Sequence, residues 1–159
     1  MFKVGIGQDS HRFSEDKNKS LILGGVEFLG EIGLEANSDG DVIIHALCNA
    51  LEQAIGGNSF SSYADEMCKD NIVDSKEYLK EALNNIRKKG YEINNIGINI
   101  EAQRPKIDPM ASSIKKKLAK IMIIQENSIG ITATTGENLT AFGRGEGVQV
   151  LAIVSLKKF

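Results

Sequence analysis

Ser38-Asp39-Gly40-Asp41-Val42-Ile43-Ile44-His45-Ala46-Leu47 is the passage on which the fold of this chain turns. Ser38 and Asp39 are both good N-cap residues placed before an apolar run. A helix is therefore expected from Asp41 to about Ile55, stopped by Gly56-Gly57-Asn58. Upstream, Phe2 to Gln8 alternates enough for a strand that ends at the corner Asp9-Ser10-His11. A polar loop follows from Ser14 to Ser20. The short strands Leu21-Ile22-Leu23 and Val26-Glu27-Phe28 are divided by Gly24-Gly25, a hairpin signal. Gly33 to Asn37 reads as irregular.

Beyond the first helix, the stretch from Asn58 to Asn71 is polar and small, with no clean period. It reads as a long loop of the kind that serves as a lid or binding segment. Asp74-Ser75-Lys76-Glu77 then opens a second helix, with Leu79, Ala82, Leu83 and Ile86 on one face and Gly90 closing it. Ile96, Ile98 and Ile100 alternate with smaller or polar residues as a half-buried strand, which Arg104-Pro105-Lys106 breaks. A third helix is expected over Pro109 to Met122, with Met110, Ile114, Leu118 and Ile121 on one face. A strand over Ile129 to Ala133, a glycine- and threonine-rich loop over Thr134 to Gly147 and a final strand over Val148 to Leu156 complete the chain. This order favours an α/β or α+β fold, one sheet covered by helices, in a single domain spanning residues 1–159.

Composition narrows the function. With 159 residues the chain can bury a core without disulfides, and its two cysteines, Cys48 and Cys68, lack any metal or disulfide spacing. They suit a reducing cytoplasm as free thiols. A net charge of -2 supplies no basic field for nucleic acid or an anionic membrane, so Lys115-Lys116-Lys117 reads as a solvated helix face. No run approaches a membrane span and no signal peptide is evident, so the expected location is cytoplasmic, without membrane or nucleic-acid partners.

The chain has only two histidines, and both stand in metal-like surroundings. Asp9 and His11 lie two residues apart on a strand and so point the same way. If His45 meets them, one carboxylate and two imidazoles form a set suited to zinc with an open fourth position. Taken singly, each histidine is more often a satisfied half-buried side chain than a metal ligand. Three further passages suit phosphate. Ser38-Asp39-Gly40-Asp41 opens a helix whose first amides are unpaired. Ala133-Thr134-Thr135-Gly136-Glu137 leaves a strand with two hydroxyls and an acid able to hold Mg²⁺. Gly143-Arg144-Gly145-Glu146-Gly147 offers an arginine on a glycine-freed backbone. Their bland counterparts are a capped helix, a threonine-rich turn and a surface ion pair.

Taken in order, these passages resemble a known family. Gly7-Gln8-Asp9-Ser10-His11-Arg12-Phe13, Ile22-Leu23-Gly24-Gly25-Val26 and Ser38 to Leu47 are followed by Ala102-Gln103-Arg104-Pro105-Lys106, Ala133 to Glu137 and Gly143 to Gly147. The ordered set is similar to that of the 2-C-methyl-D-erythritol 2,4-cyclodiphosphate synthases, trimeric zinc enzymes of non-mevalonate isoprenoid synthesis. The resemblance implies an α/β sandwich of ferredoxin-like or chorismate-mutase-like kind, assembled as a homotrimer with active sites between subunits. It implies Asp9, His11 and His45 as Zn²⁺ ligands, and Asn37 and Ser38 as phosphate contacts at the helix start. Asn58 takes a ribose-contacting position and Asp65 faces the methylerythritol hydroxyls. Ala102, Lys106, Ala133 and Thr134 line a cytidine pocket, with Thr135 on the phosphates and Glu137 holding Mg²⁺ or Mn²⁺. Arg144 and Glu146 face a channel along the trimer axis that can hold an isoprenoid diphosphate. The implied reaction is closure of 4-diphosphocytidyl-2-C-methyl-D-erythritol 2-phosphate to the cyclic diphosphate with release of CMP, a phosphorus–oxygen lyase step.

The sequence departs from the family pattern around the site. Asn37 replaces a histidine, Asn49 replaces an aspartate one turn after His45, and Asn58 replaces the ribose-contacting aspartate. The aromatic of Leu139-Thr140-Ala141-Phe142 is shifted by one position. Asp41, one turn before His45, is a candidate to orient that imidazole in place of Asn49. Two other readings remain: a catalytically impaired zinc trimer that binds nucleotide or isoprenoid diphosphate, and a metal-dependent phosphoryl enzyme with an altered sugar pocket.

Overall fold

A computed structural model describes all 159 residues. Strand β1 covers Phe2–Arg12 and β6 covers Gly147–Lys158, and the two pair antiparallel in unbroken register from Phe2–Lys157 to Arg12–Gly147. That partner carries β1 through Asp9-Ser10-His11, where the sequence suggested a corner. Strand β2 (Ser20–Leu23) and β3 (Val26–Ile32) form a separate two-stranded hairpin. Helix α1 (Val42–Ala54) follows, with Asp41 as its N-cap accepting from the Ile44 amide.

The expected long loop contains a helix, α2 (Ser61–Lys69). Phe60, Tyr63, Ala64 and Met67 pack against the core, and their spacing is that of one helical face. The polar residues between them obscured the period. Helix α3 (Ser75–Lys88) starts at the Asp74 cap, and β4 (Tyr91–Glu101) begins five residues before the expected strand. A short 3₁₀ turn (Asp108–Met110) leads into α4 (Ala111–Met122), and β5 covers Ile129–Thr134.

The main sheet has the order β1-β6-β4-β5, antiparallel except for the parallel β4–β5 pair. It is a mixed sheet with the helices on one side, as expected, but the hairpin stands apart from it. The order along the chain is β-α-β-α-β-β in the main sheet, whereas a ferredoxin-like fold runs β-α-β-β-α-β. The ferredoxin-like assignment is therefore corrected: the second crossover through α4 places β5 parallel to β4, and β6 returns between β1 and β4. No helix is long and apolar enough to cross a membrane.

Val148, Val150, Ala152, Val154 and Leu156 of β6 are wholly buried beneath the helices. On the opposite face Phe2, Val4, Ile6, Leu151 and Ile153 are exposed. Helix α1 lies almost on the backbone of β1. A Cβ on Gly5 would sit 2.0 Å from the Ala50 carbonyl oxygen, and one on Gly7 would sit 2.0 Å from that of Ala46. Only glycine permits this approach. Gly7→Ala is expected to lose at least about 3 kcal/mol, the upper end of ordinary over-packing, because the clash is with backbone. A urea titration measures the loss directly.

Candidate active site

The close packing of α1 on β1 brings the second histidine to the first. His45 closes the first turn of α1, facing β1, where Asp9 and His11 project toward it from alternate positions. Asp9 Oδ2 is 2.9 Å from His11 Nε2 and 3.0 Å from His45 Nδ1, and the two nitrogens are 3.3 Å apart. These three residues form a group able to hold a metal ion.

The donor set fits a tetrahedral zinc. Bonds of about 2.0–2.1 Å imply ligand-to-ligand edges of about 3.3 Å, close to the observed triangle. His11 Nδ1 is 2.8 Å from the Glu35 carbonyl oxygen, which can only accept, so Nδ1 carries the proton and Nε2 keeps its lone pair. That lone pair and the Asp9 carboxylate converge, and only a cation or an added proton relieves them. Burial alone would raise the Asp9 pKa, but hydrogen bonds and charge from His11 and His45 outweigh it and hold the carboxyl at about 2. The hydrogen bond to Asp9 raises the His11 pKa above its ordinary value, against the opposing effect of burial.

Around the triangle lies a cavity of about 310 Å³ that includes Asn37, Ser38, Phe60, Asp65, Cys68 and Tyr78 in its lining. The Phe60 and Tyr78 rings stand 5.1 and 6.2 Å from the His45 ring and form an aromatic wall. Asn37, Ser38 and Asp65 thus share a cavity with the triad. Asn58 lies outside it, in the neighbouring clefts beside Ser59. The Asn49 side chain bonds away from the His45 ring: its Oδ1 accepts from the Phe60 amide at 3.2 Å and its Nδ2 faces the Gln8 carbonyl. It therefore ties the start of α2 to the first strand.

Asp41 does not orient His45 through its side chain. It is fully buried, and its carboxylate accepts from the amides of Gly24 at 2.8 Å, Gly25 at 2.6 Å and Ile44 at 3.1 Å. Its role is to clamp the hairpin turn to the helix start. Burial pushes its pKa up to about 6 although these amides pull it down. His45 Nε2 instead meets Ser75 Oγ at 2.8 Å, with Ser38 Oγ farther off at 3.3 Å. Ser75 in turn contacts the Asp39 carboxylate through both its hydroxyl and its amide. Sequence reasoning treated Asp39 and Ser75 as helix-start residues. The sequence offers a signal only for Asp39, which stands in the cap six residues before His45; Ser75 comes 30 residues after it and meets it only in the fold.

At the far edge of the sheet a smaller cavity of about 200 Å³ is lined by Ala102, Lys106, Ala133, Thr134 and Thr135, together with Gln103, Pro105 and Ile107. Thr134 Oγ1 accepts from the Gly136 amide and Thr135 Oγ1 from the Glu137 amide, leaving both O–H groups free to donate. Glu137 follows with a left-handed φ of 51° and an exposed side chain. Arg144 and Glu146 pair with each other at 3.2 Å, half exposed, in the segment leading into β6, where the Glu146 carbonyl accepts from the Phe13 amide just beyond β1. The two cavities belong to strands at opposite edges of the sheet, three strand spacings or about 14 Å apart.

The mixed α/β fold thus carries an Asp-His-His group able to hold a metal ion at one sheet edge and a loop with free hydroxyl donors at the other. The YgbB family model matches residues 2–157, and the chain belongs to that family. The chain is 45% identical over 161 aligned positions to the 2-C-methyl-D-erythritol 2,4-cyclodiphosphate synthase of Chlamydia muridarum, covering all of this chain and 90% of that protein. The enzyme of the same name from Chlamydia abortus is 43% identical, with all of this chain and 91% of that protein covered. Among solved structures, the bifunctional IspDF from Campylobacter jejuni superposes with a TM-score of 0.91 at 38% identity. All of this chain is covered there, but it spans only 43% of that bifunctional protein. The Plasmodium falciparum IspF CDP complex gives a TM-score of 0.86 at 29% identity, over 99% of this chain and 96% of that one.

Two outcomes follow from the site. His45→Ala is expected to abolish stoichiometric zinc uptake while circular dichroism stays native, as measured by metal analysis of dialysed protein. Zinc must displace the proton that the raised His11 pKa retains, so zinc affinity should fall about tenfold per pH unit below that pKa. In metal-free protein the sign reverses. The His11 contribution is full below the ordinary histidine pKa and is lost as pH rises through the raised value, whereas the Asp9 contribution is full above about 3.8 and is lost as pH falls from there to about 2. Chelator competition and melting temperature across this range check both.

Proposed function

We propose that the chain, acting as one synthase domain, closes 4-diphosphocytidyl-2-C-methyl-D-erythritol 2-phosphate to 2-C-methyl-D-erythritol 2,4-cyclodiphosphate and releases CMP. The observation that carries this reading is the Asp9–His11–His45 triangle, intact in a chain 45% identical to a synthase of that name. The 2-phosphate oxygen attacks the β-phosphorus, the bond from that phosphorus to the CMP phosphate breaks, and the bridging oxygen leaves with CMP. The nucleophile is already an anion, so the protein needs no general base. Its task is to hold two anionic groups together, where proximity contributes up to about 7–11 kcal/mol.

Each residue has a task in this scheme. Asp9, His11 and His45 hold Zn²⁺, and Glu137 holds Mg²⁺ or Mn²⁺ with the substrate phosphates. When bound, these ions neutralise phosphate charge and polarise the reacting phosphorus. Ser38 and Asn37 donate to phosphate at the opening of the metal cavity, and Asp65 accepts from the erythritol hydroxyls. Asn58 lies one cleft farther out, on the route toward the ribose. Ala102, Lys106, Ala133 and Thr134 enclose the cytosine, while the Thr135 hydroxyl donates to the diphosphate. The metal set and Glu137 support an active enzyme over a binding-only trimer.

The two half-sites call for a neighbouring copy. Phe2, Val4, Ile6, Leu151 and Ile153 form an exposed apolar sheet face, which supports assembly as a homotrimer with each site completed between subunits. Arg144 and Glu146 then face the shared axis, where their exposed polar groups suit a diphosphate. The free Cys48 and Cys68 suit the cytoplasm.

Phosphorus NMR of purified protein with the diphosphocytidyl substrate, Zn²⁺ and Mg²⁺ is expected to show CMP and the cyclic diphosphate appearing together. Unchanged substrate with the zinc site filled would overturn the synthase reading. Leu151→Glu combined with Ile153→Glu is expected to yield monomer on size-exclusion chromatography with light scattering, and to abolish turnover.

A further inference from the structure

We propose that Asp39 and Ser75 are positioning residues for the metal centre, because they fix which nitrogen of His45 faces the metal. This inference rests on the reading of Asp9, His11 and His45 as a metal site.

The direction of the hydrogen bonds decides the point. Ser75 has one hydroxyl proton. Its Oγ contacts Asp39 Oδ1 on one side and His45 Nε2, at 2.8 Å, on the other. A carboxylate can only accept, so the Ser75 proton goes to Asp39. The Ser75 oxygen must then accept from His45, which places the imidazole proton on Nε2. Nδ1 is left as a lone pair facing Asp9 Oδ2 at 3.0 Å and His11 Nε2 at 3.3 Å. The relay is itself held, since the Ser75 amide donates to Asp39 Oδ2 at 3.0 Å and the Asp39 amide donates to the Val73 carbonyl at 2.9 Å. Ser75 is fully buried and His45 is 5% exposed, so water offers little competing exchange.

The two imidazoles of the site are thereby set in opposite senses. His11 donates from Nδ1 to the Glu35 carbonyl and offers Nε2; His45 donates from Nε2 to Ser75 Oγ and offers Nδ1. A backbone carbonyl cannot be changed by substitution, whereas Ser75 and Asp39 can. The metal-facing geometry of His45 therefore depends on two side chains that lie one and two steps behind it. Loss of such a partner commonly weakens metal binding about 10–100-fold.

The test compares wild-type protein with Ser75→Ala, Ser75→Thr and Asp39→Asn, each stripped of metal and titrated with Zn²⁺ against a chromogenic chelator at fixed pH. Ser75→Ala keeps the amide bond to Asp39 and removes only the hydroxyl. It should lose at least tenfold in zinc affinity, with the metal-free melting temperature close to wild type. Ser75→Thr keeps the hydroxyl and should stay within about threefold. Asp39→Asn can donate to Ser75 and so reverse the relay, and it should bind zinc more weakly than wild type. Nitrogen-15 spectra of the zinc-loaded wild type report the tautomers directly, since the chain contains only two histidines. They should show one imidazole with its proton on Nδ1 and one with its proton on Nε2. Wild-type zinc affinity in Ser75→Ala, or two imidazoles protonated on the same atom, would overturn the relay while leaving the metal site in place. A wild-type protein that takes up no zinc would overturn the metal site and the relay with it.

Discussion

The contact between β1 and α1 is the constraint on which the rest of the molecule depends. Gly5 and Gly7 let the helix settle until the carbonyl oxygens of Ala46 and Ala50 occupy the space that side chains would take. That approach sets His45 within 3.0 Å of Asp9 and 3.3 Å of His11. A larger residue at either glycine would lift the helix, and the triangle of donor atoms would open. Packing and chemistry are thus one feature here: the tightest backbone contact in the core lies directly beside the site.

Around this contact the polar groups divide their tasks. Asp41 is spent on structure, joining the Gly24-Gly25 turn to the start of α1. Asn49 ties the start of α2 to the first strand, so the aromatic wall of Phe60 stands over His45. Asp39 reaches across to the start of α3, joining the two helix starts that flank the metal cavity. The far edge of the sheet is built differently. There Thr134 and Thr135 use their oxygens to brace their own loop, and their protons remain for a ligand. One edge gathers a carboxylate and two imidazoles able to hold a metal ion; the other is a loop that offers hydroxyl donors.

Much of this was legible in the residues themselves. The strand-borne Asp9-x-His11 pair and the helical His45 pointed to one site, because strand alternation and helix periodicity fix side-chain direction locally. The helices α1, α3 and α4 were readable from caps and apolar stripes. Helix α2 was not, since the apolar residues of its face, Phe60, Tyr63, Ala64 and Met67, are separated by serines and acids, and only tertiary packing reveals the face. The role of Asp41 was misread for a similar reason. Its spacing to His45 suggested a helical pair, whereas the Gly24-Gly25 turn, distant in sequence, claims its carboxylate. Ser75 and Asp39 lie 36 residues apart in sequence and meet only when α3 docks on α1. Sheet order was equally hidden, because β6 enters between β1 and β4 through pairings that no local pattern encodes.

The central claim is that the metal edge of one copy and the hydroxyl loop of another form one active site. Subunit complementation tests it most directly. His45→Ala removes the metal edge and Glu137→Gln disables the other, so each variant alone should be inactive. Unfolded together and refolded at equal amounts, they should recover about one quarter of wild-type turnover, as expected when a closed ring of three assembles at random and each mixed ring holds one intact site. Mixed oligomers, verified by mass spectrometry, that show no recovered turnover would contradict the account.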